Sequence, residues 1–167
     1  MKLLACLLVV ALCAYIGRLL SKRTAQRLEF FREYQSSLIY ISDRITGMNL
    51  ELYKALETPR DSELGVFLRR CSHMLKSSPQ KAFAGIWKCC FDELHLSYLT
   101  KEDLNVVYAG GAAIETLCMN PSERQSSAYI KLLAGYVSEV ETEKRKKCRL
   151  YNTSGMLAGL LIALLMI

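Results

Sequence analysis

Two apolar stretches stand at opposite ends of this chain, and positive charge borders each of them on its inner side. Neither Leu3–Gly17 nor Gly155–Ile167 contains a charged residue. The bordering basic residues are Arg18, Lys22, Arg23 and Arg27 after the first stretch, and Lys144, Arg145, Lys146, Lys147 and Arg149 before the second. Lys and Arg beside a membrane segment keep their flank on the cytoplasmic side. The pattern predicts a two-pass protein of the cell membrane whose central part lies in the cytoplasm.

The first apolar stretch has two other interpretations. Lys2 followed by Leu3–Val10 fits the start and the apolar core of a secretory signal peptide, whereas Leu12-Cys13-Ala14 is a poor cleavage site. A lipoprotein signal needs small residues directly before its cysteine, and Leu12 stands there instead. Export would also carry the four basic residues that follow across the membrane, against the charge bias. We expect an uncleaved transmembrane helix over residues 1–20, with an exported, cleaved domain as the weaker alternative.

The second apolar stretch is short for a membrane span. Gly155–Ile167 makes about 20 Å of helix, and Tyr151–Ser154 lengthens it to about 26 Å, against a hydrocarbon thickness of about 30 Å. A short span can be accommodated by packing against another helix. Small residues spaced four apart allow such packing, although they are also common in membrane helices generally. We expect a transmembrane helix over 150–167 with the candidate packing residues Cys13, Gly17, Gly155, Gly159 and Ala163.

Residues 21–149 have the length of one compact domain. No alternating apolar run is bounded by hairpin turns, so no strand is predicted. Apolar residues recur instead at spacings of three and four, which is the pattern of amphipathic helices. Six stripes are predicted: Leu28, Phe31, Leu38, Ile41 and Ile45; Leu50, Tyr53, Ala55 and Leu56; Leu64, Phe67, Leu68, Cys71 and Leu75; Phe83, Ile86, Trp87, Cys90 and Phe91; Leu104, Val107, Tyr108, Ile114 and Leu117; and Tyr129, Leu132, Leu133, Tyr136, Val137 and Val140. The predicted fold is an all-α six-helix bundle anchored in the membrane at both ends.

Capping signals predict where these helices begin. Thr58-Pro59, Ser78-Pro79 and Asn120-Pro121 each pair an N-cap residue with a proline suited to the first helical position. Asp61 and Glu123 stand three residues after two of these caps, and Thr100 with Asp103 resembles a fourth start.

Polar helical stretches connect the domain to the apolar ends, and we call them the N-terminal stem, Ser21–Arg27, and the C-terminal stem, Glu141–Arg149. In the C-terminal stem, Glu141 can pair with Arg145 and Glu143 with Lys147 at the i,i+4 spacing. Each stem would hold the domain about 10 Å above the lipid. Anionic headgroups should attract them at about 1 kcal/mol per basic residue.

The chain contains seven cysteines, and none of them forms a C-x-x-C pair. Free thiols suit a reducing compartment, and Cys71 and Cys90 fall on apolar stripes, which predicts packing. A Cys-His nucleophile such as Cys71 with His73 would make the chain a small membrane-bound enzyme, but no orienting motif accompanies it. We therefore predict no catalytic residue, metal site or cofactor.

Two further patterns have ordinary structural interpretations. Gly110-Gly111 lacks the strand and the Lys-Ser/Thr of a phosphate loop, so we expect it to let two helices pack closely. The net charge of +6 could suit nucleic acid. The membrane-flanking basic residues account for that excess, so no nucleic-acid partner is expected.

Several segments, taken in order along the whole chain, resemble the stage III sporulation protein AB family of endospore-forming bacteria. The most telling one, Leu150–Ile162, is similar to the family's polar lead-in and Gly-x-x-x-Gly tail. The others are Leu50–Leu56, Ser78–Trp87 and Gln125.

The resemblance implies a domain like the helical repeat of type II secretion protein F, a membrane platform that meets a secretion ATPase. It further implies a non-enzymatic subunit of the channel complex between mother cell and forespore. Its expected partners are the membrane on the mother-cell side, a cytoplasmic secretion-type ATPase and other membrane subunits of the channel. Self-association into a homo-oligomer is also open.

Overall fold

A computed structural model describes residues 2–59, 61–78, 80–120 and 125–166. Side chains are described for 21–150 apart from 60, 79 and 121–127, and also for Tyr15, Arg18, Leu19, Thr153 and Leu157. These ranges contain six helices and no strand, which confirms the all-α prediction. The helices are α1 (Lys2–Thr46), α2 (Leu52–Ala55), α3 (Glu63–Ser77), α4 (Phe83–Asp92), α5 (Lys101–Met119) and α6 (Gln125–Met166).

The first and last helices are long and uninterrupted. α1 includes the first apolar stretch, the N-terminal stem and the first stripe of the domain, and α6 includes the last stripe, the C-terminal stem and the second apolar stretch. The stems are therefore helical, as predicted. In the described part of the chain, no helix contains a segment long and apolar enough to cross a membrane.

The chain divides into two compact units. One combines Met1–Glu29 with Val137–Ile167, and we call it the terminal unit. The other, Phe30–Tyr136, is the central unit, in which α2 packs on α3, α3 on α4 and α4 on α5. Its core is aromatic: the rings of Phe67 and Trp87 lie 4.6 Å apart, centroid to centroid, in an edge-to-face arrangement.

Most of the predicted stripes are buried. The α1 stripe and the α4 stripe lie entirely in the interior, and Phe30 and Tyr34 add two aromatic rings that the spacing did not single out. Leu132 was wrongly assigned to the α6 stripe, because 73% of it is exposed. Its neighbour Leu133 points inward, and successive helical residues are about 100° apart, so both cannot share one narrow face.

One predicted capping signal is confirmed. Thr100 caps α5: its hydroxyl accepts from Asp103 N at 3.2 Å, and the Asp103 carboxylate accepts from Thr100 N at 2.7 Å.

The start predicted at Thr58-Pro59 was wrong, because α3 begins only at Glu63. There Ser62 is the N-cap, and its hydroxyl accepts from Gly65 N at 3.1 Å while donating to Glu33 on α1. Asp61, predicted to complete the capping box, is exposed and lies 3.5 Å from Arg69 instead. The N-cap is thus a local serine that also contacts α1.

The start predicted at Ser78-Pro79 was also wrong. α4 begins at Phe83 instead of near Ser78, and its N-cap residue Ala82 has no side-chain acceptor. Asn120 ends α5 as its C-cap, and α6 begins at Gln125. Pro121 and Glu123 lie outside the described residues, so the helix start at Asn120-Pro121 stays a prediction.

Candidate functional site

The two stems, both in the terminal unit, are paired side by side. Ser21 Oγ lies 3.0 Å from Cys148 Sγ, and Arg27 Nη1 donates to Glu143 Oε2 at 2.6 Å. Moving forward from Ser21 to Arg27 corresponds to moving back from Cys148 to Glu143, so the stems run antiparallel.

A partly buried ion pair joins the stems at their Arg27 end. The Arg27 side chain is 10% exposed and that of Glu143 38%. Lys147, one turn further along α6, also pairs with Glu143. The hydrogen bond from Lys147, together with that from Arg27, lowers the pKa of the Glu143 carboxyl below its usual 4.5. Glu143 therefore stays ionised and joins the stems at neutral pH.

The predicted pairs within the C-terminal stem are both present. Arg145 Nη2 lies 2.9 Å from Glu141 Oε1, and Lys147 pairs with Glu143. With Arg27, three of the nine predicted membrane-flanking residues are bound to carboxylates. The side chains of the other six make no ion pair or hydrogen bond within the described part of the chain: Arg18, Lys22, Arg23, Lys144, Lys146 and Arg149. All but the half-buried Lys144 are exposed.

The predicted packing residues of the apolar ends, Cys13, Gly17, Gly155, Gly159 and Ala163, have side chains outside the described residues. Their role as a helix-packing face stays a prediction.

In the central unit, side chains from three helices converge on α5. The Tyr34 hydroxyl donates to Val107 O at 3.0 Å, and the Trp87 indole donates to the same oxygen at 2.9 Å. The Tyr129 hydroxyl donates to Val106 O at 2.6 Å. These contacts tie α1, α4 and α6 to one turn of α5, and we call this set of residues the α5 hub.

The diglycine makes room for the α5 hub. A Cβ on Gly110 would overlap the Tyr34 hydroxyl, and one on Gly111 would lie 2.6 Å from Cγ of the Trp87 ring. This confirms the prediction that Gly110-Gly111 allows close helix packing. Burial raises the pKa of Tyr34 well above 10 and that of Tyr129 to about 12, so both stay protonated donors.

Asp103 extends the α5 hub with a fully buried carboxylate. It accepts from the Tyr136 hydroxyl at 2.7 Å and from the Thr100 hydroxyl at 2.8 Å. A buried charge is tolerated only when it is hydrogen-bonded. Asp103 therefore serves to fix α6 against α5 in the central unit.

The two residues of the alternative enzymatic pair lie apart. Cys71 is fully buried and His73 is exposed, on opposite faces of α3. The partner of Cys71 is Cys90 on α4, whose thiol, together with burial, raises the pKa of the Cys71 thiol. A raised pKa disfavours the thiolate, which is the nucleophilic form. No cluster of three or more His, Cys, Asp or Glu able to hold a metal ion occurs among the described residues.

One exposed region of the central unit combines aromatic rings with cations, and we call it the α2 face: Tyr40, Arg44, Tyr53, Lys54 and Lys76. Arg44 Nη1 donates to the Tyr40 hydroxyl at 2.9 Å, and Lys76 Nζ lies 4.8 Å from the Tyr53 ring centroid. A cavity of about 120 Å³ opens beside Tyr40. Its walls include Ile41, Leu56 and Leu68.

Sequence patterns gave no sign of several of these contacts. Ser21 and Cys148 are ordinary residues of helical stems. Glu115, whose carboxylate accepts from Phe83 N and Ala84 N at the start of α4, belongs to no motif. The sequence contains one signal for such contacts, which is a tyrosine on or beside a helical core stripe. Its hydroxyl needs a hydrogen-bond partner when it is buried, as in Tyr34, Tyr129 and Tyr136.

The family model for stage III sporulation protein AB matches residues 2–167. The chain belongs to the stage III sporulation protein AB family. The resemblance seen in the sequence is thereby confirmed over essentially the whole chain, and it gives this member a role in sporulation. No curated protein and no solved structure matches the chain.

Proposed function

We propose that this member of the family is a non-enzymatic membrane platform subunit of the sporulation channel complex between mother cell and forespore. Its helical domain docks a cytoplasmic secretion-type ATPase and neighbouring membrane subunits. Family membership over residues 2–167 supports the sporulation role. The proposed membrane hairpin rests on the stems and the apolar ends. The proposed docking role rests on the surface of the central unit.

The pairing of the stems is the observation that carries the proposal. Because Ser21 contacts Cys148 and Arg27 contacts Glu143, the stems are antiparallel neighbours. The apolar stretches that adjoin them in the sequence therefore leave the stems in the same direction. Two such stretches beside basic residues suit a hairpin inserted from the cytoplasmic side.

The α2 face is the docking surface that the proposal favours. Tyrosine and arginine are enriched among the residues that dominate binding energy, particularly beside pockets that a partner side chain can fill. Tyr40 is 42% exposed and borders a cavity of about 120 Å³. A cavity of about 150 Å³ can hold benzene, so this one has the size for one apolar side chain.

Co-purification tests the docking. The full chain, tagged and isolated from sporulating membranes, should recover a secretion-type ATPase. Tyr40→Ala with Arg44→Glu should reduce that recovery at least tenfold, whereas Lys131→Glu, an exposed change on α6, should leave it unchanged. Failure of the unaltered chain to recover any ATPase or channel subunit would contradict the proposal.

The enzymatic alternative has a separate test. Replacing Cys71 by Ala and His73 by Ser removes the Cys-His pair named for it. Spore yield should persist, provided that the variant protein accumulates to the normal level. Loss of spores at a normal protein level would favour an enzyme.

A further inference from the structure

The nine membrane-flanking basic residues fall into two sets with different physical roles. Arg27, Arg145 and Lys147 are bound to Glu143 or Glu141. The side chains of the other six, defined here as the collar, make no ion pair or hydrogen bond within the described part of the chain: Arg18, Lys22, Arg23, Lys144, Lys146 and Arg149. In the first set, Arg27 joins one stem to the other, whereas Arg145 and Lys147 pair with carboxylates of their own helix. The collar is available for a ligand.

The collar occupies a narrow band along the paired helices. Arg18 to Arg23 and Lys144 to Arg149 each cover about 8 Å at the helical rise. The contact between Ser21 and Cys148 brings these two segments to the same level. No Asp or Glu occurs in 18–28 or in 144–167, so nothing acidic in sequence neutralises the band. The band is therefore strongly positive over its whole height.

The dimensions of the band indicate its ligand. A bilayer is about 40–45 Å thick with a hydrocarbon core of about 30 Å, which leaves a headgroup layer of about 5–8 Å on each side. The collar has the same height and directly borders the apolar stretches in the sequence. Phosphate groups of anionic lipids are the negative charges that such a layer supplies.

We propose that the collar binds the phosphate headgroups of anionic phospholipids, while the Arg27–Glu143 pair holds the two stems in register above them. The inference rests on the proposed membrane hairpin. It adds that the hairpin selects its surrounding lipid by charge. It also divides the basic residues into a lipid-binding set and a set bound to carboxylates of the stems.

The test uses the full chain reconstituted into nanodiscs of equal parts phosphatidylcholine and phosphatidylglycerol. Lipids that remain bound after extraction are counted by native mass spectrometry. We expect phosphatidylglycerol to be enriched, and the enrichment to fall with added salt. Lys144→Gln with Lys146→Gln should lower the enrichment about fivefold for each residue, which corresponds to about 1 kcal/mol per basic residue.

Two matched variants serve as controls on the same stem. Lys144→Arg with Lys146→Arg keeps the charge and should keep the enrichment. Glu141→Gln with Arg145→Gln removes a carboxylate-bound cation without changing the net charge, and it should also keep the enrichment. Equal losses in the Lys144/Lys146 double variant and this neutral variant would overturn the division into two sets.

The remaining outcomes separate the inference from the proposed function. A chain that resists alkaline carbonate extraction but shows no preference for phosphatidylglycerol overturns the inference alone. A chain that carbonate releases from membranes overturns the hairpin, and the inference with it. Loss of enrichment on adding inorganic phosphate at constant ionic strength would assign the collar to free phosphate instead of lipid.

Discussion

Tyr34 on α1 and Trp87 on α4 donate hydrogen bonds to one and the same backbone oxygen, that of Val107 on α5. A carbonyl has two lone pairs, so it can accept from side chains in addition to its helical partner. The oxygen becomes accessible because the next turn of the helix carries Gly110 and Gly111. The carbonyl of Val107 and the two glycines, which have no side chain, together determine where α1, α4 and α5 meet in the central unit.

Gly111→Ala should destabilise the central unit by about 1–3 kcal/mol, because the added methyl meets the Trp87 ring at 2.6 Å from Cγ. Gly135→Ala is the matched control, since a Cβ there has no atom within 4 Å and should raise stability by about 0.5–1 kcal/mol. Urea unfolding followed by the fluorescence of Trp87, the single tryptophan, measures both. Equal effects of the two variants would refute the packing role of Gly111.

Tyr34→Phe should lower stability at neutral pH by about 0.5–1.5 kcal/mol, the usual contribution of a hydrogen bond. Burial holds the pKa of Tyr34 well above its unfolded value of 10.0. The stability from the protonated hydroxyl is therefore complete below pH 10 and is lost as pH rises through the folded pKa. The variant should lose less stability than the unaltered chain above pH 10, as alkaline titration of Trp87 fluorescence would reveal. If the stability of the variant and that of the unaltered chain fell in parallel above pH 10, the role of Tyr34 as a buried hydrogen-bond donor would be contradicted.

Glu115→Gln should weaken the start of α4. The Glu115 carboxylate accepts from Phe83 N at 3.1 Å and from Ala84 N at 3.2 Å, in place of a local cap. An N-cap contributes about 0.5–2 kcal/mol, and a neutral amide keeps only part of that stabilisation. Hydrogen exchange of the amides of Phe83 and Ala84 should speed up. Glu139→Gln, at an exposed α6 position, should leave it unchanged, and identical exchange in the two variants would exclude the cap.

Ser21→Cys should form an intramolecular disulfide with Cys148 under mild oxidation. The two side-chain atoms lie 3.0 Å apart, and a disulfide forms when the Cβ atoms are about 3.5–4.5 Å apart. Lys22→Cys places a thiol one residue further, on an exposed position, and should not form it. Peptide mapping by mass spectrometry identifies the linked residues. If the second variant were linked to Cys148 as abundantly as the first, a fixed stem register would be ruled out.

Glu143→Gln should loosen the stem pair at neutral pH and flatten its acid response. The pKa of Glu143 lies below its unfolded value of 4.5, so its stabilisation is complete above pH 4.5 and is lost as pH falls through the folded pKa. Amide protection across residues 137–150, corrected for the intrinsic exchange rate at each pH, should therefore fall on acidification in the unaltered chain more than in the variant. Glu139→Gln, an exposed change on the same helix, should leave this protection unchanged.

The helices themselves were predictable because each depends on a repeating local pattern. The stripes of α1 and α4 follow the helical period, and the i,i+4 pairs of the C-terminal stem depend on residues within one turn. The Thr100 and Asp103 cap of α5 is likewise complete within four residues.

The errors arose where a distant residue decides. Thr58-Pro59 and Ser78-Pro79 have good local capping chemistry, but α3 is capped by Ser62, which also contacts Glu33 on α1. The first amides of α4 donate to Glu115 on α5. Leu132 has the right spacing for a core residue, yet the neighbouring Leu133 occupies the inward face. Ser21 and Cys148 are more than a hundred positions apart, and no periodicity relates them.

The dependence of α4 on Glu115 also bears on how the protein is made. A ribosome releases the chain from its N-terminus, so α4 emerges before the residue that completes its first turn. Until α5 has been synthesised, the amides of Phe83 and Ala84 have only water as a partner. Nascent chains that end before Glu115 should therefore hold α4 loosely, and its final docking belongs to a late stage of synthesis.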